Sequence, residues 1–270
     1  MTTIPLIVPL AAGDKMHPEK IEQFIESGYL KIENAFSAEI AAECRSLLWK
    51  ATGADPDNPL TWTQPVIRIG EMGQEPFRAA ANTRVLHQAF HQLAGDNWYP
   101  RTTLGTFPIR FPSKVPAGDT GWHVDASFSG DNADNYFEWR INVRSKGRAL
   151  LMLFLFSDVS EDDAPTLIRA GSHLDVASLL QTAGEAGLSF VQLAQQLDQL
   201  PVRNEIAATG TAGTVYLCHP FVVHAAQEHR GKTPKFMAQP PLLPKTEFNI
   251  EQPYEQCCPI EKAILRGIKD

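Results

Sequence analysis

Apolar positions recur at helical spacing in the first third of the chain. The pattern predicts one helix over Pro18 to Ser27 and another over Ser37 to Lys50, where Ile40, Cys44, Leu47 and Leu48 share a face and Ser37 and Glu39 suit the first turn. Between them Gly28 to Asn34 alternates like a short strand, and a third helical segment runs from Ala79 to Leu93 and stops at Gly95. From Thr102 the texture changes to short strands and turns, beginning with Thr103 to Phe111. In Phe137 to Arg144 the apolar set Phe137, Trp139, Ile141 and Val143 alternates with Glu138, Arg140, Asn142 and Arg144, which predicts a half-buried strand. Ser145, Lys146 and Gly147 read as a turn, and Ala149 to Phe156 is apolar on both faces, as a central covered strand requires. Together these predict a hairpin. Two helical pieces follow Gly171, at about Val176 to Thr182 and Ser189 to Leu200, and strands return at Gly213 to Leu217 and Lys235 to Leu243. Helices first, then a strand-rich body with a helical insertion, indicate an α+β chain with a mainly β core, a sandwich or barrel.

No repeat, low-complexity tract or Gly/Ser linker interrupts the 270 residues, so one domain is expected over 1–270. Its parts are a helical region at about 18–95, a β core at about 102–243 and a C-terminal extension at 244–270. The net charge of −7 and the lack of a basic run argue against a nucleic-acid partner. The longest apolar run outside the N-terminus, Ala149 to Phe156, is far short of a membrane span. Ile4 to Ala12 imitates a signal-peptide core, but Pro5 and Pro9 lie inside it and no Lys or Arg precedes it, so it is not read as one. Four unevenly placed cysteines, Cys44, Cys218, Cys257 and Cys258, suit reduced thiols in a cytoplasmic protein.

The stretch GWHVDASF, Gly121 to Phe128, carries His123 and Asp125 one residue apart. In extended chain that spacing sends both side chains to one face, where an imidazole and a carboxylate can meet one metal ion. The later stretch TVYLCHPFVVH offers His219 or His224 as a third ligand. Two histidines and a carboxylate make the facial triad of non-haem Fe(II) oxygenases, with further positions open. The spacing alone is weak, since His173 and Asp175 match it too, although Asp175 suits the first turn of the helix that follows. On spacing, His123 and Asp125 are either ligands or a surface pair.

The N-terminal helix–strand–helix, GWHVDASF, LLMLFLFSDV, APTLIRAGSH and HPFVVHAAQEHRGKTPKFMAQPPL together resemble the phytanoyl-CoA dioxygenase family of Fe(II)/2-oxoglutarate oxygenases, from roughly Ile21 to Leu243. That resemblance implies a double-stranded β-helix, or jelly roll, with the iron at its mouth. It also implies that His123, Asp125 and His224 hold the iron, because His224 has a basic residue, Lys235, eleven positions on. Lys235 would receive the distal carboxylate of 2-oxoglutarate. Two departures matter: the basic residue is more often Arg, and the residue two after the distal His, often Ser, is Ala226. A lysine and a missing hydroxyl leave fewer hydrogen bonds, which Arg230, Thr103 or Arg110 could supply.

Other residues have plainer readings. His219 is expected to be a supporting or core histidine, His173 structural and His229 an exposed loop residue. Arg140, Arg144 and Arg148 recur every fourth residue. Glu138 and Arg140 are expected to pair on an exposed face, with an anchor for an anionic substrate as the alternative. Trp122 and Phe128 suit packing or substrate contact, and the loops Pro112 to Gly121 and Ser129 to Asn135 suit lids. The function implied is hydroxylation of a small organic molecule with O2 and 2-oxoglutarate, giving succinate and CO2. A zinc hydrolase and a non-catalytic jelly-roll binding module are the alternatives, the latter favoured by Ala226. Nothing marks a site for a CoA ester.

Overall fold

The computed structural model describes residues 16–269, so the Ile4 to Ala12 segment lies outside the described residues. Helix α1 (Pro18–Ser27) ends at Gly28, whose φ of 78° turns the chain directly into strand β1 (Tyr29–Ile32). A side chain at Gly28 would meet the His173 ring at 2.5 Å, so both the turn and the packing require glycine there. Helix α2 (Ala38–Thr52) starts where the Ser37 hydroxyl accepts from the Ile40 N–H. A strand that the pattern did not single out, β2 (Val66–Ile69), precedes the third helical segment. That segment forms two helices, α3 (Glu75–Ala81) and α4 (Arg84–Ala94). Thr83 caps the second, and the Asn82 amide donates to the carbonyls of Arg78 and Arg101, so two polar side chains fix the break.

The β region follows: β3 (Phe107–Arg110), β4 (Arg140–Ile141), β5 (Leu150–Leu155) and β6 (Leu167–Arg169). The insertion brings helix α5 (Ser172–Thr182), strand β7 (Leu188–Ser189) and helix α6 (Phe190–Ala194). Strands β8 (Glu205–Ala207), β9 (Val215–Cys218), β10 (His224–Ala225), β11 (Met237–Ala238) and β12 (Pro241–Leu242) precede the last helix, α7 (Pro259–Gly267). One antiparallel sheet runs β1-β9-β5-β11, with β12 also on β5, and a second runs β10-β6-β8. As the apolar run predicts, every residue of β5 is buried. Leu150, Met152 and Phe154 join the larger core with Phe36, Leu217 and the helices, while Leu151, Leu153 and Leu155 join Tyr216 and Met237 of their own sheet and Ile168 of the second. Sequence alternation thus divides one strand between two cores.

The expected hairpin is not formed. Strand β5 pairs with β9, β11 and β12, whereas β4 pairs with β7 of the insertion. A strand buried on both faces needs covered neighbours, and Glu138, Arg140, Asn142 and Arg144 would place a polar row beside it. Residues Tyr136–Glu138 instead form a 3-10 turn with Phe137 61% exposed.

Helix α7 places Ile260 and Ile264 in the larger core beside α1, α4 and α5. Two buried histidines pin this end. His173 Nε2 lies 3.0 Å from the Ile25 carbonyl, His219 Nε2 lies 3.4 Å from that of Ile260, and the two rings are 4.9 Å apart. Burial pushes the His173 imidazole down to about 4 and His219 well below its ordinary value. A histidine whose folded pKa is depressed takes up protons more readily in the unfolded chain, so stability present above about pH 6.5 is lost as pH falls towards 4. The thermal midpoint should therefore drop across that interval, and His173→Gln should flatten the drop; a midpoint independent of pH from 7 to 4.5 would exclude this coupling.

Candidate metal centre

His123 and His224 face each other across an isolated antiparallel bridge, the N–H of each donating to the carbonyl of the other at 3.0 and 2.9 Å. The bridge brings the two rings to 4.4 Å. Asp125, two residues on, puts Oδ1 at 3.6 Å from His123 Nε2 and 3.7 Å from His224 Nε2. One ligand atom from each of the three lies within 4.8 Å of the others. His123 Nδ1 is 2.8 Å from the Gly121 carbonyl and His224 Nδ1 is 3.2 Å from that of Val222. A carbonyl only accepts, so each Nδ1 carries the proton and each Nε2 presents its lone pair. Three acceptors facing one point repel one another unless a cation lies between them, and this donor set fits a divalent transition metal.

Charge around the cluster follows from burial. Burial raises the Asp125 carboxyl, but Arg148, His224 and His123 together outweigh it and hold it below the usual carboxylate range. His224 is pushed down to about 4 by burial and then by His123, which keeps it neutral and able to act as a ligand. Arg148 Nη1 lies 3.3 Å from Asp125 Oδ2, and Gln239 Nε2 lies 3.4 Å from the same oxygen and 3.2 Å from His224 Nε2.

The four residues expected around the cosubstrate separate into two groups. Lys235 and Arg110 come together, their backbones bridged in both directions at 3.0 and 2.8 Å. Lys235 is 1% exposed; its ammonium donates to the Ala164 carbonyl and is pushed down to about 7 by burial and then by Arg110. Arg110 reaches Asp119 Oδ2 at 2.7 Å and the Gln227 carbonyl at 3.2 Å. Thr103 is turned away, donating to Glu71 at 2.7 Å beside Arg101. Arg230 is exposed, and its backbone N–H is what makes contact, at 2.9 Å from the Asp162 carbonyl. Thr103 thus does not join Lys235, because Glu71 holds its hydroxyl, and Arg230 is exposed where Lys235 is buried.

Other expectations divide likewise. Asp175 forms a bidentate pair with Arg203 at 2.8 and 2.6 Å, and His173 is in the core, so the second His-x-Asp does not converge. His229 is not exposed: it is 8% accessible, with Nε2 held 2.8 Å from the Thr233 carbonyl. Glu138 and Arg140 do not pair, since Asn135 donates to Glu138 and Arg140 donates to the carbonyls of Ala186 and Gly187. Trp122 stacks under the Arg169 guanidinium at 4.0 Å, and Lys146 lies 5.2 Å from the Phe128 ring. Two aromatic neighbours of the cluster escaped the sequence reading. Phe190 is 5.7 Å from the His123 ring, and Tyr136, 5.5 Å from Phe190, accepts from the Ala126 N–H with its hydroxyl. The pairing of β4 with β7 brings them here, and no local pattern signals it.

Together, the two sheets and the His, Asp, His cluster define a facial-triad metal centre of the non-haem kind. A profile of the phytanoyl-CoA dioxygenase family matches residues 24–237, and the chain belongs to that family. No curated protein matches the sequence. Among solved structures, HygX from Streptomyces hygroscopicus with nickel and 2-oxoglutarate bound is similar at 16% identity and a TM-score of 0.55, covering 87% of this chain and 90% of that one. EctD from S. alaskensis with 2-oxoglutarate and 5-hydroxyectoine is similar at 18% identity and a TM-score of 0.53, covering 87% and 79%. SnoK, a carbocyclase from nogalamycin biosynthesis, is similar at 19% identity and 0.52, covering 83% and 82%.

Proposed function

We propose that the chain is a single-domain jelly-roll hydroxylase in which His123, Asp125 and His224 hold Fe(II) and Lys235, beside Arg110, receives the distal carboxylate of 2-oxoglutarate. The observation that carries this reading is the convergence of three unprotonated ligand atoms within 4.8 Å. The jelly roll is supported by two antiparallel sheets with a shared inner cluster, in which Met237 and Ile168 meet, at whose edge the ligands lie. With 2-oxoglutarate and O2, iron supplies oxidising power that places one oxygen atom on the substrate and leaves succinate and CO2.

The chain's own residues orient and shield. The two-residue alternation sends Met237 into the inner cluster and Gln239 to Asp125, while Phe236 and Ala238 join the larger core. Lys235 falls on the inner face by the same alternation, which gives a path from the ligands to a buried ammonium. Phe190 and Tyr136 border His123 with apolar surface that keeps water from part of the site. Four free thiols suit a reducing, cytoplasmic setting. No helix among the described residues is long and apolar enough to cross a membrane.

The test is an anaerobic titration with Fe(II) and then 2-oxoglutarate, followed by a screen of small molecules for stimulated succinate release. A zinc hydrolase would bind zinc and show no dependence on 2-oxoglutarate, and a binding module would hold no stoichiometric metal. Because Asp125 supplies a carboxylate where a halide would otherwise bind, the product formed in chloride buffer should gain the mass of one oxygen. A chlorinated product would overturn the ligand set.

A further inference from the structure

The two oxygens of Asp125 have different surroundings. Oδ1 faces His123 Nε2 and His224 Nε2, whereas Oδ2 faces Arg148 Nη1 at 3.3 Å and, at 3.4 Å, the Gln239 amide nitrogen, which also lies 3.2 Å from His224 Nε2. Arg148 is itself held. Its Nη2 donates to the Ala126 carbonyl at 3.0 Å, its backbone carbonyl accepts from the Ser145 hydroxyl at 2.7 Å, and the side chain is largely buried. The turn that carries it is pressed against the segment after Asp125: a Cβ at Gly147, where φ is 83°, would lie 2.4 Å from the Ser127 carbonyl oxygen. Ser145, Lys146 and Gly147, which resemble a hairpin turn in sequence, instead seat a guanidinium behind the carboxylate.

We infer that Arg148 and Gln239 are positioning residues that occupy Oδ2 of Asp125 and so make this carboxylate a one-oxygen ligand. This rests on the proposed iron site. A divalent transition metal with six positions has three left by His123, Oδ1 of Asp125 and His224. 2-Oxoglutarate, with two oxygens in its keto acid end, would need two of these. A carboxylate free to rotate can chelate through both oxygens, which removes one of those positions and competes with 2-oxoglutarate. Two N–H donors on Oδ2 prevent that, and the donor from Arg148 is charge-assisted. Arg148 also places a positive charge beside a cation site, so it opposes metal affinity while it preserves an open position. Those opposite effects separate positioning from simple structural support.

The test compares the wild type with Arg148→Leu, Gln239→Leu and Arg148→Lys by anaerobic Fe(II) binding, by 2-oxoglutarate titration of the iron-loaded protein followed through the visible absorption of the chelated keto acid, and by thermal unfolding. Arg148→Leu is expected to hold Fe(II) at least as tightly as the wild type, while 2-oxoglutarate affinity falls about tenfold or more and the absorption weakens. Gln239→Leu, which removes the less buried, neutral donor, should leave Fe(II) affinity within about threefold and lower 2-oxoglutarate affinity by less than Arg148→Leu does, and carries the test if Arg148→Leu unfolds. Arg148→Lys, keeping the charge and one donor, should recover part of the 2-oxoglutarate affinity. Parallel loss of Fe(II) and 2-oxoglutarate in a folded variant would show simple structural support and overturn the inference, as would wild-type 2-oxoglutarate affinity in both leucine variants. If the wild type itself binds no Fe(II), the proposed function fails first, and that result is distinct from either.

Discussion

Asp125→Ala and His224→Ala are expected to abolish Fe(II) binding and turnover in proteins that remain folded. Each removes one of three converging ligand atoms, and even the partners behind a ligand are commonly worth ten- to a hundredfold in affinity, so the loss should exceed about a hundredfold. The fold should survive because the core is elsewhere: the largest buried side chains, among them Phe24, Phe77, Phe154 and Phe156, lie in the cluster between the main sheet and the helices. His219→Ala and Asp175→Ala serve as controls. Both residues lie outside the cluster, in contacts with Ile260 and Arg203, so these variants should keep bound iron even where they lose stability. Metal content by atomic absorption together with circular dichroism decides the matter. Iron lost from Asp175→Ala but retained by Asp125→Ala would move the site to the other His-x-Asp.

The second large effect is expected at Lys235. A charge-assisted hydrogen bond to a buried carboxylate is worth about 1.5–3 kcal/mol, or roughly ten- to more than a hundredfold in affinity. Lys235→Ala should weaken 2-oxoglutarate binding by that factor without removing iron. Lys235→Arg should retain part of it if the longer fork fits, and Arg230→Ala should change it by less than about threefold, as for an exposed charge. The sign with pH follows from the lysine's depressed pKa of about 7. A carboxylate favours the charged ammonium, so binding takes up protons near and above pH 7 and affinity falls as pH rises further. Calorimetry in buffers of different ionisation enthalpy would detect the uptake; equal affinity in Lys235→Ala and the wild type would move the anchor to Arg110.

What was legible in the sequence was local. His123 and Asp125 converge because a two-residue step in extended chain is geometry that any sequence carries. Helix α1 has the span its pattern predicts, and the double-faced apolarity of β5 correctly implied burial on both sides. The failures lie where a distant partner decides. Phe137 to Arg144 alternates well, yet its pairing was settled by Leu188 and Ser189 in the insertion. Arg148 belonged to a regular series of arginines, and nothing near it in sequence identifies Asp125 as its partner. Thr103 is plausible by hydrogen-bonding capacity alone, and Glu71, distant in sequence, takes its hydroxyl. His229 sits among polar residues, but the Thr233 carbonyl draws it inward.

The reciprocal backbone bridge between His123 and His224 also bears on how the protein is made. The two histidines it joins, proposed as ligands, are separated by about a hundred residues, so the cluster exists only after a large loop has closed. The unfolded chain offers scattered side chains with little grip on a metal. Binding therefore acts almost wholly on the finished fold, and available metal adds its binding free energy to the folding equilibrium by mass action. In a cell short of iron, the protein would forgo that added stability together with its turnover.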